Sequence, residues 1–333
     1  PLASVEKVDY VVSQHSEQDH SGSLPIVLDR YPSATLLCSQ KARDMLLSHL
    51  QIPAERIRVV ADGEQIALGG KTLQFVYTPW VHWPETMCTY LPEDQCLFSC
   101  DFFGSHLATT DLFVTDPARV YEAAKRYYAE IMMPFRSIIT KNLDKLSVLD
   151  FDIIAPSHGP VYDKPDFILD AYRDWTSPNT KNEVVLPYIS MHGSTERMVK
   201  YLMDALAAQG VSVQAFDLAV TDIGKLAMAL VDASTLIVGT PTVHVGAHPA
   251  VYYAAHLANL LRPKLKYAAI IGSYGWSSKA IEQIAGLIPN LKVEVLGTVL
   301  QKGIPDANTF AQLHELAAAV AKKHKEDPNV LPK

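Results

Sequence analysis

The chain has 333 residues, of which 48% are hydrophobic and 20% are charged, and its formal net charge is −7. This length is comfortable for two domains, and a modest negative charge without a basic run argues against nucleic acid or an anionic membrane as a partner. Because we find neither a signal-peptide pattern nor an apolar run near the roughly 20 residues of a membrane span, we expect a cytoplasmic protein.

The N-terminal half predicts a mixed α/β domain. Short apolar runs predict its strands at 8–13, 34–38, 57–60, 72–77 and 96–99. Helical periodicity predicts helices near 117–131 and 137–149. Ligand-capable side chains in this half come just after strands, which is where sites are usually built.

The C-terminal half alternates strand and helix with regularity. Buried strands are predicted at 184–189, 211–216, 235–239, 267–272 and 293–299. Helical spacing fills the intervals, most clearly at 195–208 and 306–322. Five such units predict a doubly wound parallel sheet, whose ligands bind at the carboxyl ends of the strands. The polar segment 175–182 is typical of a linker, so we expect domains at 1–177 and 183–333.

Metal-type side chains cluster directly after the first predicted strand and recur after later ones. Four of them fall within six residues: His15, Glu17, Asp19 and His20. Three more follow strands further along the chain: His82, Asp101 and His158.

Each of these residues alone has an ordinary structural explanation. A single histidine is commonly a hydrogen-bonded core or surface residue, and Asp101 alone could cap a strand end. Together, however, they place every metal-type side chain at a strand exit. The sequence therefore predicts a metal site, with no separate catalytic residue, held by His15, Glu17, Asp19, His20, His82, Asp101 and His158.

The first cluster resembles the HxHxDH motif that opens the metallo-β-lactamase superfamily, with Glu17 in place of the second histidine. Imidazole-rich sets suit zinc that activates water, whereas an added carboxylate gives a harder set that suits redox-active iron. The pattern His-x-Glu-x-Asp-His followed by His, Asp and His is similar to that of the flavodiiron proteins. So are the strings Asp19–Pro25, Thr78–Pro84 and Ser99–Gly104.

That resemblance implies a role for each position of the metal set. His15, Glu17 and His82 would hold one iron, and Asp19 and His158 would hold the other. Asp101 would bridge the two ions. His20 is conditional, because in this family the position is either a ligand or turned away.

Three hydroxyl- and glycine-rich segments lie at predicted strand ends of the C-terminal half. The first opens a helix, whose N-terminus favours an anion: Ser190, Met191, His192, Gly193, Ser194 and Thr195. Alone it could be an ordinary helix cap. No lysine follows the glycine as in a nucleotide P-loop, which favours the phosphate of FMN over that of ATP.

Two further segments strengthen the prediction of an FMN site. The second comprises Pro241, Thr242, Val243, His244, Val245 and Gly246. The third comprises Ser273, Tyr274, Gly275, Trp276 and Ser277. Tyr274 and Trp276 could cover the isoalloxazine ring, or they could pack against neighbouring helices.

These segments resemble flavodoxin, and 272–276 resembles the flavodoxin domain of flavodiiron proteins. The resemblance covers nearly the whole chain in the right domain order. It implies a metallo-β-lactamase-like αβ/βα sandwich followed by a flavodoxin-like doubly wound sheet. The family's first strands and hairpins have no counterpart before Pro1, so we expect the sandwich to be incomplete at its N-terminus.

The leading hypothesis is therefore an oxidoreductase that reduces O2 to water, or NO to N2O, at two iron ions, with FMN relaying electrons. The resemblance implies an external donor, either a rubredoxin-like protein or a reduced deazaflavin, and a head-to-tail homodimer or a dimer of dimers. Zinc could substitute for iron. Two alternatives stay open: a zinc hydrolase fused to a flavodoxin, and an FMN electron carrier whose metal domain is vestigial.

Overall fold

The computed structural model describes residues 5–332, and the chain divides between Thr176 and Ser177 into two units. Among the described residues, no helix is both long enough and apolar enough to span a membrane.

The first unit contains two sheets. The strands of the first are β1 (Tyr10–Val12), β2 (Thr35–Cys38) and β3 (Ile57–Val59), all parallel in that order. The strands of the second, also in spatial order, are β4 (Gln65–Ala67), β5 (Thr72–Tyr77), β6 (Met87–Leu91), β7 (Cys96–Cys100) and β8 (Ile153–Pro156). Neighbours in the second sheet are antiparallel except β7 and β8, which are parallel.

The helices of this unit fall between and after these strands. They are α1 (Gln18–Ser21), α2 (Leu24–Arg30), α3 (Gln40–His49), α4 (Pro117–Tyr127), α5 (Arg136–Leu146) and α6 (Asp166–Thr176). The predicted helix at 117–131 changes character at Tyr128, where a π turn runs to Met132 before a 3₁₀ turn over Met133–Phe135. Further 3₁₀ turns cover Ala54–Arg56 and Pro92–Asp94.

Strand β2 shows how the layers pack, because successive side chains of a strand point to opposite faces. Leu36 belongs to the cluster formed with α2 and α3, whereas Leu37 belongs to the cluster formed with β5 and β6. Both side chains are fully buried. The first sheet is therefore covered by helices on one face and by the second sheet on the other, as in an αβ/βα sandwich.

Strands β4 and β6 were not among the predicted elements. Strand β4 has only three residues, and β6 is buried along nearly its whole length, so it lacks the polar alternation of a half-exposed strand.

The second unit is a doubly wound sheet. Its strands are β9 (Thr180–Tyr188), β10 (Ser212–Asp217), β11 (Ala233–Val243), β12 (Gly246–Ala247), β13 (Tyr267–Tyr274), β14 (Glu294–Lys302) and β15 (Val330–Leu331). Its helices are α7 (Ser194–Ala208), α8 (Ile223–Asp232), α9 (Pro249–Leu261), α10 (Ala280–Leu287) and α11 (Ala307–Glu326). The parallel order β10-β9-β11-β13-β14 is that of flavodoxin-like folds.

Strand β11 is longer than predicted. The expected strand ends at 239 and the expected flavin segment begins at Pro241, but β11 continues through Pro241 to Val243 and turns back into β12. Proline is rare inside strands, so Pro241 favours a strand that ends before it. Here it sits beside Ser273 of β13 in the parallel register. The second flavin segment is thus part strand and part hairpin.

Candidate metal centre and flavin cavity

The first metal-type cluster follows β1 in a short turn and helix. The amide of Ser13 donates to the carbonyl of Leu37, which continues the sheet by one residue and aims the chain at His15. Glu17 is the N-cap residue of the single-turn helix α1, which carries Asp19 and His20. The tight turn therefore brings four ligand-type side chains to one place.

The other three residues come from loops at the ends of β5, β7 and β8. Asp101 follows Cys100, which has a φ of 55°, and the hydroxyl of Ser99 donates to the carbonyl of Phe102 to close that turn. His158 precedes Gly159, whose φ is 90° and whose added Cβ would overlap the hydroxyl of Ser105. Glycine at 159 therefore lets the His158 loop pass close to the Asp101 loop.

The Asp101 carboxylate stands between two groups of donors. Its Oδ2 lies 3.4 Å from Nε2 of His15 and 3.4 Å from Nε2 of His82. Its Oδ1 lies 2.9 Å from Nε2 of His20 and 3.4 Å from Nε2 of His158. Each carboxylate oxygen thus faces a different pair of imidazoles, which is the arrangement of a bridging ligand.

The remaining two carboxylates complete one group each. Oε2 of Glu17 lies 3.2 Å from Nε2 of His15 and 3.1 Å from Nε2 of His82. On the other side, Oδ2 of Asp19 lies 3.2 Å from Nε2 of His158 and 3.4 Å from Nε2 of His20. The structure therefore brings all seven predicted residues together, His20 included.

These distances fit a pair of metal ions. Ligands about 2.1 Å from a metal lie about 3.0–3.5 Å from one another in octahedral or tetrahedral geometry. Two buried atoms of the set, Nε2 of His20 and Oδ1 of Asp101, lie 2.9 Å apart, yet neither makes a well-aligned hydrogen bond among the described residues. A metal ion would satisfy both, so the residues present fit the implied ions.

Mutual electrostatics keep the bridging carboxylate ionised. Burial acts to raise the pKa of Asp101, but close polar contacts with the imidazoles of His158, His20 and His82, and the charge of His20, outweigh it and hold that pKa well below its usual range. Burial acts to lower the pKa of His82, and Asp101 and Glu17 more than compensate, so that pKa is raised. The carboxylates and imidazoles of the metal set thus stabilise each other's charged forms.

The sequence-based interpretation missed two residues beside this set. Glu85 is buried, and its Oε1 lies 2.7 Å from Nδ1 of His15 and accepts the amide of Ser16 at 3.0 Å. Tyr127 is buried with its ring centroid 5.9 Å from that of His158, and burial and then the charge of Asp101 raise its pKa. Neither residue carries a local sequence signal, because each is defined only by a distant contact.

The second unit contains a cavity of about 520 Å³ at the carboxyl ends of β9, β11 and β13, within the range of small-ligand sites. Residues from all three predicted flavin segments line it: Ser190, Met191, His192, Ser194, Thr195, Pro241, Thr242, Val243, Ser273, Tyr274 and Gly275. Two further lining residues, Gly303 and Ile304, come from the end of β14 and were not predicted. A parallel sheet brings that strand end to the same edge.

Six predicted flavin residues do not line the cavity. They are Gly193, His244, Val245, Gly246, Trp276 and Ser277. Gly193 is the N-cap residue of α7, with a φ of 84°. His244 and Val245 occupy the turn of the β11–β12 hairpin. The side chain of Trp276 is 73% exposed.

The cavity suits a phosphate-bearing ligand. The hydroxyl of Ser190 accepts the amides of Gly193 and Glu196, which fixes the start of α7, and that helix N-terminus supplies further N–H groups. Thr195 is buried, and its hydroxyl lies 3.1 Å from that of Ser273. No lysine or arginine is among the lining residues that the structure describes. Neutral donors at a helix N-terminus fit the phosphate of FMN.

Comparisons with known proteins match both units of the chain. The family model "ODP family beta lactamase" matches residues 1–159, and the model "Flavodoxin" matches residues 186–319. A nitric oxide reductase of Moorella thermoacetica is 35% identical over 323 residues, which span 95% of this chain and 81% of that protein.

Solved structures agree as well. Rubredoxin oxygen:oxidoreductase from Desulfovibrio gigas superimposes with a TM-score of 0.91 at 27% identity, covering 95% of this chain and 81% of that one. The flavodiiron protein from Giardia intestinalis gives a TM-score of 0.87 at 27% identity, covering 97% and 82%. These matches confirm the predicted lactamase-like and flavodoxin-like architecture, and the chain belongs to the flavodiiron protein family.

Proposed function

We propose that this chain is an oxidoreductase that reduces O2 to water, NO to N2O, or both, with electrons relayed through FMN. The observation that carries the proposal is the position of Asp101, whose two oxygens face two separate groups of imidazole and carboxylate donors. The names of its relatives support it, since one is called a nitric oxide reductase and another a rubredoxin oxygen:oxidoreductase.

The donor geometry supports an assignment of ligands. One iron would be held by His15, Glu17 and His82, the other by Asp19, His20 and His158, with Asp101 shared. The contact of Nε2 of His20 with Oδ1 of Asp101 supports including His20. Imidazole and carboxylate donors also suit zinc, so we propose that zinc can take the same places.

Bound iron supplies the one-electron chemistry, and the protein supplies the geometry and the protons. The short turn at Glu17 and the Asp101 loop hold the two donor groups against each other, so a diatomic molecule would meet both at once. Tyr127, whose raised pKa keeps its phenol neutral, is a hydrogen-bond donor beside that space.

In the second unit, backbone and hydroxyl groups at the start of α7 would bind the FMN phosphate. Tyr274 and Ile304 line the same cavity and would contact the flavin ring system. We propose that electrons reach FMN from an external donor, either a rubredoxin-like protein or a reduced deazaflavin. The name of the Desulfovibrio gigas relative supports the rubredoxin choice.

We also propose a head-to-tail homodimer, or a dimer of dimers, in which the FMN of one subunit serves the iron of the other. The test is analytical ultracentrifugation together with steady-state kinetics, and a monomer with full turnover would contradict the dimer. A cytoplasmic location is proposed as well, supported by four free cysteine thiols.

The function is tested with iron-loaded, FMN-loaded protein that is reduced anaerobically and then given O2 or NO in parallel. Consumption of either gas, with flavin reoxidation, is the expected result. Ester hydrolysis with two bound zinc ions and no gas consumption would point to the hydrolase instead. Bound FMN without bound metal would point to the electron carrier.

A further inference from the structure

The turn of the β11–β12 hairpin is strained. Val243 pairs with Gly246, so His244 and Val245 form a two-residue connection. Their φ angles are 48° and 71°. Tight turns of this kind favour Asn-Gly, and a β-branched residue at positive φ is a rare and costly choice. Other contacts must therefore hold Val245 in place.

Those contacts come from the start of α10 and the residues just before it. The amide of Lys279 donates to the carbonyl of Val245 at 2.6 Å. Oε1 of Gln283 accepts the amide of Ala247 at 3.0 Å. The first strand of the hairpin is fixed too, because the hydroxyls of Thr242 and Ser278 lie 2.7 Å apart.

The side-chain amide of Gln283 also packs tightly against Gly246. A Cβ added to Gly246 would collide with Oε1 of Gln283 and lie 2.9 Å from its Nε2. The Gln283 amide thus lies in close contact with the hairpin in the space that glycine leaves at position 246.

The same hairpin forms one wall of the flavin cavity through Thr242 and Val243. We propose that Gln283 is a positioning residue: by fixing Ala247 and the strained turn, it sets where this wall stands against the flavin and thereby the affinity and reduction potential of FMN. The inference rests on the proposed function, in that FMN occupies the cavity.

The physical reason is a difference between two states of the ligand. Oxidised and reduced flavin present different charge and hydrogen-bonding groups, so a rigid wall binds them with different affinity. Their affinity ratio fixes the bound reduction potential. Without the Gln283 anchor the turn can relax, and the preference for one state over the other changes.

The test replaces Gln283 with Met, which has similar size but no strong acceptor. Losing the bond to Ala247 leaves a backbone N–H without its partner, so the FMN dissociation constant of the holoprotein should rise about 5- to 100-fold. The reduction potential, measured by anaerobic spectroelectrochemistry, should move as well. Gln283→Glu keeps an acceptor oxygen and should restore most of the affinity.

Two further variants separate positioning from a general loss of stability. Gln312→Met changes an exposed glutamine on α11 and should leave the FMN dissociation constant and the reduction potential at wild-type values. Val245→Gly removes the strain at φ 71°, so the effect of Gln283→Met on the potential should shrink in that background. If the two substitutions shifted the reduction potential by the sum of their separate effects, the proposal would be overturned.

The remaining outcomes also decide. Wild-type affinity and potential in Gln283→Met would overturn the inference while leaving the proposed function intact. If the wild-type chain binds no FMN, it is the proposed function that fails. If Gln283→Met does not fold, Ser278→Ala removes the Thr242 contact of the same hairpin, and an unchanged potential there would overturn the inference.

Discussion

Nδ1 of His15 lies 2.7 Å from Oε1 of Glu85, and neither side chain is exposed to solvent. A carboxylate at this place accepts a hydrogen bond from Nδ1–H of the imidazole and so leaves Nε2 free to bind a metal. The contact joins the loop after β1 to the loop before β6, 70 residues apart in the chain. Glu85 therefore orients the metal ligand His15, although the two residues are far apart in the sequence.

Replacing Glu85 with Gln should weaken iron binding about 10- to 100-fold, as is usual when the partner of a metal-bound histidine is changed. The amide keeps the size but loses the negative charge that strengthens the hydrogen bond from Nδ1–H of His15. Iron affinity can be measured by competition with a chelator. Glu55→Gln, at an exposed position, is the control. Equal affinities in both variants would show that Glu85 has no such role.

Replacing Asp101 with Ala should remove most of the bound iron and abolish O2 and NO consumption, because both donor groups lose their shared carboxylate. FMN content should stay at the wild-type level. Elemental analysis and flavin absorbance measure the two cofactors in one sample. Asp29→Ala, an exposed change on α2, should alter neither. Retained iron would remove Asp101 from the ligand set.

Replacing Thr195 with Ala should weaken FMN binding by about 1–3 kcal/mol, the value of a hydrogen bond to a charged group. The hydroxyl is buried at the start of α7 and faces Ser273 across the cavity wall. Fluorescence titration of the flavin-free protein gives the affinity. Thr298→Ala, on an exposed part of β14, is the matched control. The phosphate would have to bind elsewhere if the two variants behaved alike.

The stability of the second unit should depend on pH through His324. This side chain is buried, with Nδ1 2.8 Å from Oδ1 of Asn182 and Nε2 2.6 Å from the hydroxyl of Thr235. A neutral imidazole with its proton on Nδ1 can donate to Asn182 and accept from Thr235. Burial lowers the pKa of His324 to about 4.

The sign of the change in stability follows from the pH at which the histidine of the unfolded chain takes up a proton. Its histidine titrates near pH 6.5, so from there down to about pH 4 the unfolded state binds more protons and folding stability falls. The total loss is about 3 kcal/mol at most. Urea unfolding, monitored through the release of FMN, can be compared at pH 7.5 and pH 5. The free energy of unfolding should drop less between these pH values in His324→Gln than in the wild type. The exposed variant His314→Gln should keep the full drop.

Much of the site could be predicted because its residues carry local signals. The string from His15 to His20 is dense in ligand types, and Ser190–Thr195 leads into a strongly periodic helix. By contrast, Glu85, Gln283 and Ile304 have ordinary neighbours and gain their importance from contacts between distant segments. Sequence patterns of short range cannot show such pairings. The end of β11 was misplaced for a related reason, because β12 extends it as a hairpin.

The seven residues of the metal set are spread from His15 to His158, across almost the entire first unit. During synthesis, the centre therefore cannot close until the last of them has left the ribosome, and the early histidines must wait for partners more than a hundred residues behind them. Metal uptake would then be a late event that ties the finished unit together. Iron supply during growth should accordingly influence how much of the newly made chain survives proteolysis.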